Sequence, residues 1–435
     1  MWECCGSGMA WRSGRLLAAA LLLGAGPGAA QTDGTLGAAV DRVLPGIIEI
    51  RHRLHQNPEL GNREVQTAAL VAERLRALGL EVRTGVAHTG VVAVLRGRRP
   101  GPVVAVRADM DALPVTEDTP LPWKSTVRAT YLGQQVGVAH ACGHDVHTAV
   151  QLGVAEVLAG MRGRLAGTVV FIFQPAEEGP PPGERGGAEL MLAEGAFRDP
   201  APSAVFGLHT QAELDVGTVG FTVGPALASA ASWHATIIGR QAHGAMPHQS
   251  VDPIVMASQV VTALQTIRSR SLSPFTPSVV TVGVIRGGER QNIIPGEVTL
   301  MGTIRGYSAA VMDTIRRRMD AIMDGLTRAG GGSYRLTVDS ALPVVVNDTA
   351  LAERMLPVLR RAAGAANLRM MEPASVAEDF AFFANAVPGF FFRLGSSPLG
   401  ARSGPHHSPT FLADDGAVPI GIRTMTELLL AYLGS

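Results

Sequence analysis

The sequence predicts an α/β protein: a largely parallel sheet covered by helices, interrupted by a ferredoxin-like α+β insertion. Three observations carry this. Four apolar runs of strand length stop abruptly at polar or ionisable residues: 103–106 before Arg107 and Asp109, 169–173 before Gln174 and Glu177-Glu178, 205–208 before His209, and 390–392 before Arg393. Unbroken apolar strands are what a sheet buried on both faces requires, and helical segments such as 148–161 supply the covering layers. Third, between about Gly220 and Leu342 the order becomes strand, helix, strand, strand, helix, strand, at 233–238, 252–270, 279–285, 298–304, 309–329 and 334–338. That order is the split βαβ arrangement.

Along the chain, Arg12 and Arg15 precede the apolar run 16–23, and small residues follow up to Ala30. This reads as a secretory signal peptide over 1–30, with Met9 a more typical start than Met1, and predicts an exported protein, periplasmic or secreted. The region 41–80 has helical periodicity, with Val65, Ala68, Ala69, Ala72, Leu75 and Leu78 on one face and Gly79 as a stop. The apolar strand signals with polar ends come next, pause at the insertion and resume after it. The expected division is therefore 36–220 plus 343–435 as a catalytic unit and 221–342 as an inserted unit.

A length of 435 residues calls for two or three compact units. Lys+Arg and Asp+Glu are both 37, so no net field attracts nucleic acid or an anionic membrane surface. Removal of the signal leaves Cys142 as the one cysteine, which rules out a disulfide within the subunit. A lone exported thiol is a liability unless a metal or a catalytic role occupies it.

The densest chemistry is His140-Ala141-Cys142-Gly143-His144-Asp145-Val146-His147. Thiolate and imidazole suit zinc and other borderline ions. In an extended loop Cys142 and His144 face one site; the plainer alternative is a set of buried polar residues with Asp145 capping the next helix. Glu177 and Glu178 follow a buried strand, where two bare carboxylates repel each other and bound cations would relieve them. If the strand direction continues, one carboxylate ligates while its neighbour faces the substrate water. His209 and the pair His406-His407 end other polar clusters.

These residues resemble the dinuclear metal aminoacylases and carboxypeptidases, in the branch of hippurate hydrolases and indole-acetyl-amino-acid amidohydrolases. The landmarks are His52-Arg53 to Leu60, 107–114, 140–147, 174–179, 207–209, 242–248, 292–295, 302–305, 377–380 and His407-Ser408-Pro409, spread over nearly the whole mature chain. The resemblance implies two divalent ions, Zn or Mn with Co or Ni as alternatives, held by Cys142, His144, Glu178, His209 and His407. It implies catalysis by Glu177 as general base with His243, and Asp111 orienting a ligand. His243, Asn292 and Arg305 would hold the substrate, and the insertion would act as lid and dimerisation surface in a homodimer. The implied reaction is hydrolysis of an N-acyl amino acid by a metal-activated water. A dipeptidase or carboxypeptidase on the same site, or an exported non-catalytic metal binder, are the competing readings.

Overall fold

The computed structural model of the chain describes residues 27–339 and 341–434, with side chains from Thr35 onward. The signal segment read at 1–30 therefore lies, apart from residues 27–30, outside the described residues. Helical periodicity over 41–80 resolves into two helices, α1 (Pro27–Gln56) and α2 (Val65–Ala77), separated by a turn holding Pro58 and Gly61. The buried face of α2 is Thr67, Ala68, Val71, Ala72 and Leu75. Val65, 64% exposed, and Ala69 from the expected stripe face solvent instead. Helical phase turns Ala69 away from the 68, 71, 72 and 75 stripe, whereas Val65 is in phase with Ala68 and Ala72 but is the first residue of the helix.

The chain then forms β1 (Glu81–Val86), β2 (Gly90–Arg96), β3 (Arg99–Asp109), α3 (His144–Gly160), β4 (Ala166–Gln174), β5 (Val205–Asp215) and β6 (Val219–Phe221). An insertion follows, built from β7 (Ser229–Ile238), α4 (Pro253–Leu264), β8 (Ser278–Arg286), β9 (Glu297–Gly306), α5 (Ala309–Ala329) and β10 (Ser333–Val338). Afterwards come α6 (Thr349–Ala363), β11 (Leu368–Met370), α7 (Phe380–Ala386), β12 (Gly389–Ser397) and α8 (Ala417–Leu433).

The central sheet runs β1-β2-β4-β3-β5-β12-β6-β11. Its middle, β4-β3-β5-β12, is parallel throughout. Every apolar run singled out in the sequence lies in one of these four strands. Alternate residues enter two cores: Val104, Val106 and Phe206 pack with α1, α3 and α8 on one face, and Ala105, Val205 and Phe391 pack on the other. Burial on both faces is why these runs are continuous rather than alternating. Parallel strands also bring their carboxyl ends to one edge, where ligands of open α/β sheets bind.

The inserted sheet runs β8-β9-β7-β10, antiparallel at every step. Helices α4 and α5 cover one face around Trp233, Ile237, Val260, Leu264, Leu300, Ile315 and Met319. The helix expected over 252–270 stops at Leu264, and 267–271 is a separate π turn. Among the described residues no helix is long and apolar enough to cross a membrane.

Candidate metal centre

The carboxyl edge of the parallel strands gathers the ionisable residues. Asp111, two residues past β3, accepts from His144 Nδ1 at 3.2 Å and from the Glu178 backbone N–H at 3.0 Å. That leaves His144 Nε2 pointing inward, fully buried and without a hydrogen-bond partner. It lies 3.8 Å from Glu177 Oε2 and 4.0 Å from Glu178 Oε1. Burial by itself would lower the His144 pKa, but Asp109 and Asp111 lift it to about 10. The atom is thus set up to hold a cation, a proton or a metal.

Gly143 precedes α3 with φ +89, and a Cβ there would lie 2.4 Å from Thr210 Oγ1. The left-handed turn brings Cys142 beneath β5 and starts the helix at His144. Cys142 Sγ lies 3.4 Å from His209 Nε2. His209 Nδ1 donates to the Thr210 carbonyl at 2.6 Å, which fixes the tautomer that leaves Nε2 free. Burial, then His147 and His406, hold the His209 pKa well below its ordinary value, so the ring is neutral and ready to ligate. Burial pushes the Cys142 thiol well up, aided by Glu178 and Glu177; only a bound cation would favour its thiolate here.

Two imidazoles compete for the late ligand position. His406 Nε2 accepts from the Ala212 N–H at 3.1 Å, so its Nδ1–H faces Cys142 Sγ at 3.7 Å as a donor. His407 instead turns Nε2 to within 3.0 Å of Glu178 Oε1 and adopts φ +64, rare outside glycine and costly unless tertiary contacts enforce it. Cys142, Glu178 and His407 offer donor atoms all within 4.8 Å of one another. The same holds for His144, Glu177 and Glu178, and for Cys142, His209 and His406. Cys142 and Glu178 are each common to two groups, so the donors form a linked chain with room for two cations. Thiolate, neutral imidazoles and carboxylates are the donor set borderline divalent ions prefer, and the buried, unpartnered His144 Nε2 fits such an occupant.

The carboxylate pair does not split as extended geometry would have it. Ala176 has φ +51, its N–H held by Glu64 Oε1 at 2.9 Å, and the segment turns there. Glu177 and Glu178 therefore both face His144 rather than opposite sides. Burial, then Glu378 and Glu178, push the Glu177 pKa well up.

Beneath these donors lies a dense buried network. Arg107, fully buried, donates to Gln174, Asp109, Glu378 and Asp379 at 2.7–3.0 Å. Asp109 Oδ1 takes the His147 Nδ1 proton at 2.5 Å, and His147 Nε2 accepts from the Thr210 N–H at 2.8 Å. With both ring nitrogens engaged, His147 is a strut rather than a ligand. Asp145 does not cap α3 either, since its carboxylate takes Arg51 Nε at 3.1 Å and His55 Nδ1 at 2.9 Å.

Of the residues named from sequence, Cys142, His144, Glu177, Glu178, His209, His407 and Asp111 come together here. His243, Asn292 and Arg305 sit in the insertion, and among the described residues no hydrogen bond or ion pair joins them to the metal donors. His243 and Asn292 are neighbours, the Gly244 N–H donating to the Asn292 carbonyl at 2.8 Å. Sequence reasoning assigned no role to Glu64, Arg107, Asp109, His147, Glu378 or Arg393. For Arg107 and Asp109 the signals were their place at the polar end of the 103–106 run and in the 107–114 landmark.

A sequence profile described as "Peptidase family M20/M25/M40" matches residues 105–431. The N-acetyl-L-cysteine deacetylase of Bacillus subtilis is 37% identical over 376 residues, covering 86% of this chain and 84% of that protein. The IAA-amino acid hydrolase ILR1-like 2 of Arabidopsis thaliana is 35% identical over 393 residues, 90% of this chain and 86% of that protein. Among solved structures, the Bacillus subtilis YXEP protein, described as a dinuclear metal binding peptidase from the M20 family, superposes with a TM-score of 0.75 at 32% identity, covering 91% of this chain and 99% of that one.

Proposed function

The chain belongs to the M20/M25/M40 peptidase family of hydrolases, and on that premise we propose that it cleaves the amide bond of N-acyl amino acids or similar small conjugates. The observation that carries this reading is the linked donor set in which Cys142 and Glu178 each serve two groups, with the Glu177 carboxylate beside His144. Relatives named as an N-acetyl-L-cysteine deacetylase and an IAA-amino acid hydrolase support the same substrate class.

Cys142, His144, Glu178, His209 and His407 would hold two divalent cations, Zn or Mn in first place and Co or Ni as alternatives. Bound there, the cations would supply Lewis acidity and bring the pKa of water toward neutrality. Glu177 takes the proton of the attacking water. As the new C–O bond forms and the C–N bond breaks, Glu177 returns that proton to the amine, which otherwise departs poorly. Asp111 acts through His144 and Glu178 as a positioning residue.

His243 Nδ1 accepts from the Ala245 N–H at 3.0 Å, which leaves Nε2–H on the exposed ring as a free donor. His243, Asn292 and Arg305 act on substrate when the insertion, or that of a second copy, closes over the donors. A homodimer through the insertion is supported by the outer edge of β8 and its exposed Val279 and Ile285, with Ile254 and Val255 exposed on α4. Export rests on the reading of residues 1–30.

A panel of hippurate, N-acetyl amino acids and dipeptides, run at quantified metal loading, tests the reading. Turnover of the acyl amino acids supports it, whereas turnover of dipeptides alone makes the protein a peptidase. No turnover of any of them, with metal retained, makes it a binder.

A further inference from the structure

We propose that Arg393 forms a carboxylate-binding subsite beside the metal donors, supplied by the central sheet itself. In β12, Arg393 stands opposite His209 of β5 on one side and opposite Gly220 of β6 on the other. Paired residues of adjacent strands project from the same face, so the guanidinium emerges on the face of the candidate ligand His209, at the same carboxyl edge. Glycine at 220 is required by close packing, because a Cβ there would lie 2.2 Å from Met371 Sδ and 3.3 Å from Arg393 Cβ, so the Met371 side chain lies beside the arginine's stem.

The pairing state of this arginine sets it apart. Arg107, in the same layer, has three carboxylates and an amide around it. Arg393 donates from one Nη to Gln211 Oε1 and makes no ion pair among the described residues. Gln211 is itself steadied by donating to Glu213. A guanidinium has five N–H donors in a planar fork, and here one neutral amide takes the single bond found. The residue is partly exposed, so the remaining donors are open to a ligand. The nearby Glu378 carboxylate has its Oε1 taken by Arg107 and the Phe380 N–H and its Oε2 without a hydrogen-bond partner, and among the described residues it makes no hydrogen bond or ion pair with Arg393. An unpaired, partly dehydrated guanidinium is unfavourable, more so beside divalent cations. A ligand anion lying between them relieves both.

A carboxylate matches the fork in both shape and charge. This subsite rests on the amidohydrolase reading and deepens it: the preferred substrate carries a free carboxylate, on either the amino-acid or the acyl side of the scissile amide. Arg305 of the insertion is not needed for that contact.

The test compares three substrates on metal-loaded protein: an N-acetyl amino acid, its C-terminal carboxamide, and the N-succinyl form of that carboxamide. Wild type is expected to favour one carboxylate-bearing substrate over the neutral one by about 10- to 100-fold in kcat/KM, and the favoured substrate tells which side carries the anion. Arg393→Met is expected to erase the preference, chiefly through KM, while Arg393→Lys retains part of it. Equal rates of wild type on all three substrates, or an unchanged preference in Arg393→Met, would overturn the subsite. Where Arg393→Met fails to fold, equal wild-type rates still overturn the subsite, and Arg393→Gln then tests whether the preference belongs to this residue. If metal-loaded wild type hydrolyses none of the three, the functional reading fails instead. Calorimetric binding of the acid against its carboxamide then still tests Arg393, and equal affinities overturn it.

Discussion

Replacing Asp111 by asparagine should weaken metal binding without unfolding the protein. The Asp111 carboxylate serves two donors at once, His144 Nδ1 at 3.2 Å and the Glu178 N–H at 3.0 Å. Asparagine keeps the size but offers one acceptor oxygen and one NH2 group, so one of the two donors must face another donor. If it is His144, the tautomer that aims Nε2 inward is no longer held; if it is the Glu178 N–H, the turn carrying both glutamates loosens. A hydrogen bond to a buried charge contributes about 1.5–3 kcal/mol. At 1.36 kcal/mol per decade this is about 10- to 150-fold in affinity, in the range found when partners of metal-ligating histidines are removed. The assay is zinc titration of apo protein against a chelator of known affinity, with the cobalt absorption spectrum as a check that Cys142 still ligates. An affinity within about twofold of wild type would refute the role assigned to Asp111, since a lost charge-assisted bond exceeds that.

Glu177→Gln should retain both metals yet lower kcat by about 10²- to 10⁴-fold; steady-state kinetics beside metal analysis checks this, and undiminished turnover excludes Glu177 as the base. Gly143→Ala places a side chain at φ +89, where it costs about 1–2 kcal/mol before the clash with Thr210 Oγ1 is counted. Reduced thermal stability together with weaker metal retention is expected, and a variant equal to wild type in both would contradict the close packing of that turn. For His55, burial alone would lower the pKa, but Asp145 and Glu117 lift it from 6.5 to about 9. Because the folded value is the higher one, the stabilisation is complete below pH 6.5 and disappears as pH rises through 9. Denaturant unfolding should show the gap between wild type and His55→Gln narrowing by about 3 kcal/mol over that window, and a gap independent of pH would refute the pairing.

Apolar strand runs were legible because two-sided burial removes alternation, and 103–106, 169–173, 205–208 and 390–392 all fall in the parallel middle of the sheet. The insertion was legible from element order alone, and α5 falls on 309–329 to the residue. The clustering of unusual residue types marked the regions, but Cys142, His144, Glu178, His209 and His407 were named one by one only through the resemblance to the dinuclear metal aminoacylases and carboxypeptidases. What stayed hidden depends on tertiary context. The left-handed Ala176 has no sequence signal, so Glu177 and Glu178 were expected to diverge when they converge. The difference between His406 and His407, whose rings meet the Ala212 N–H and Glu178 respectively, has no signal in the sequence. The contrast between Arg107, ion-paired to three acids, and Arg393, with no ion pair among the described residues, exists only once strands hundreds of residues apart are paired.

The most direct test of the central claim is anomalous diffraction from crystals of the metal-loaded protein, combined with elemental analysis of the same sample. Two ions per chain, about 3.5–4 Å apart and ligated by the Cys142 sulfur together with His144, Glu178, His209 and His407, is the result expected. A single ion, or ions seated away from Cys142, would contradict it.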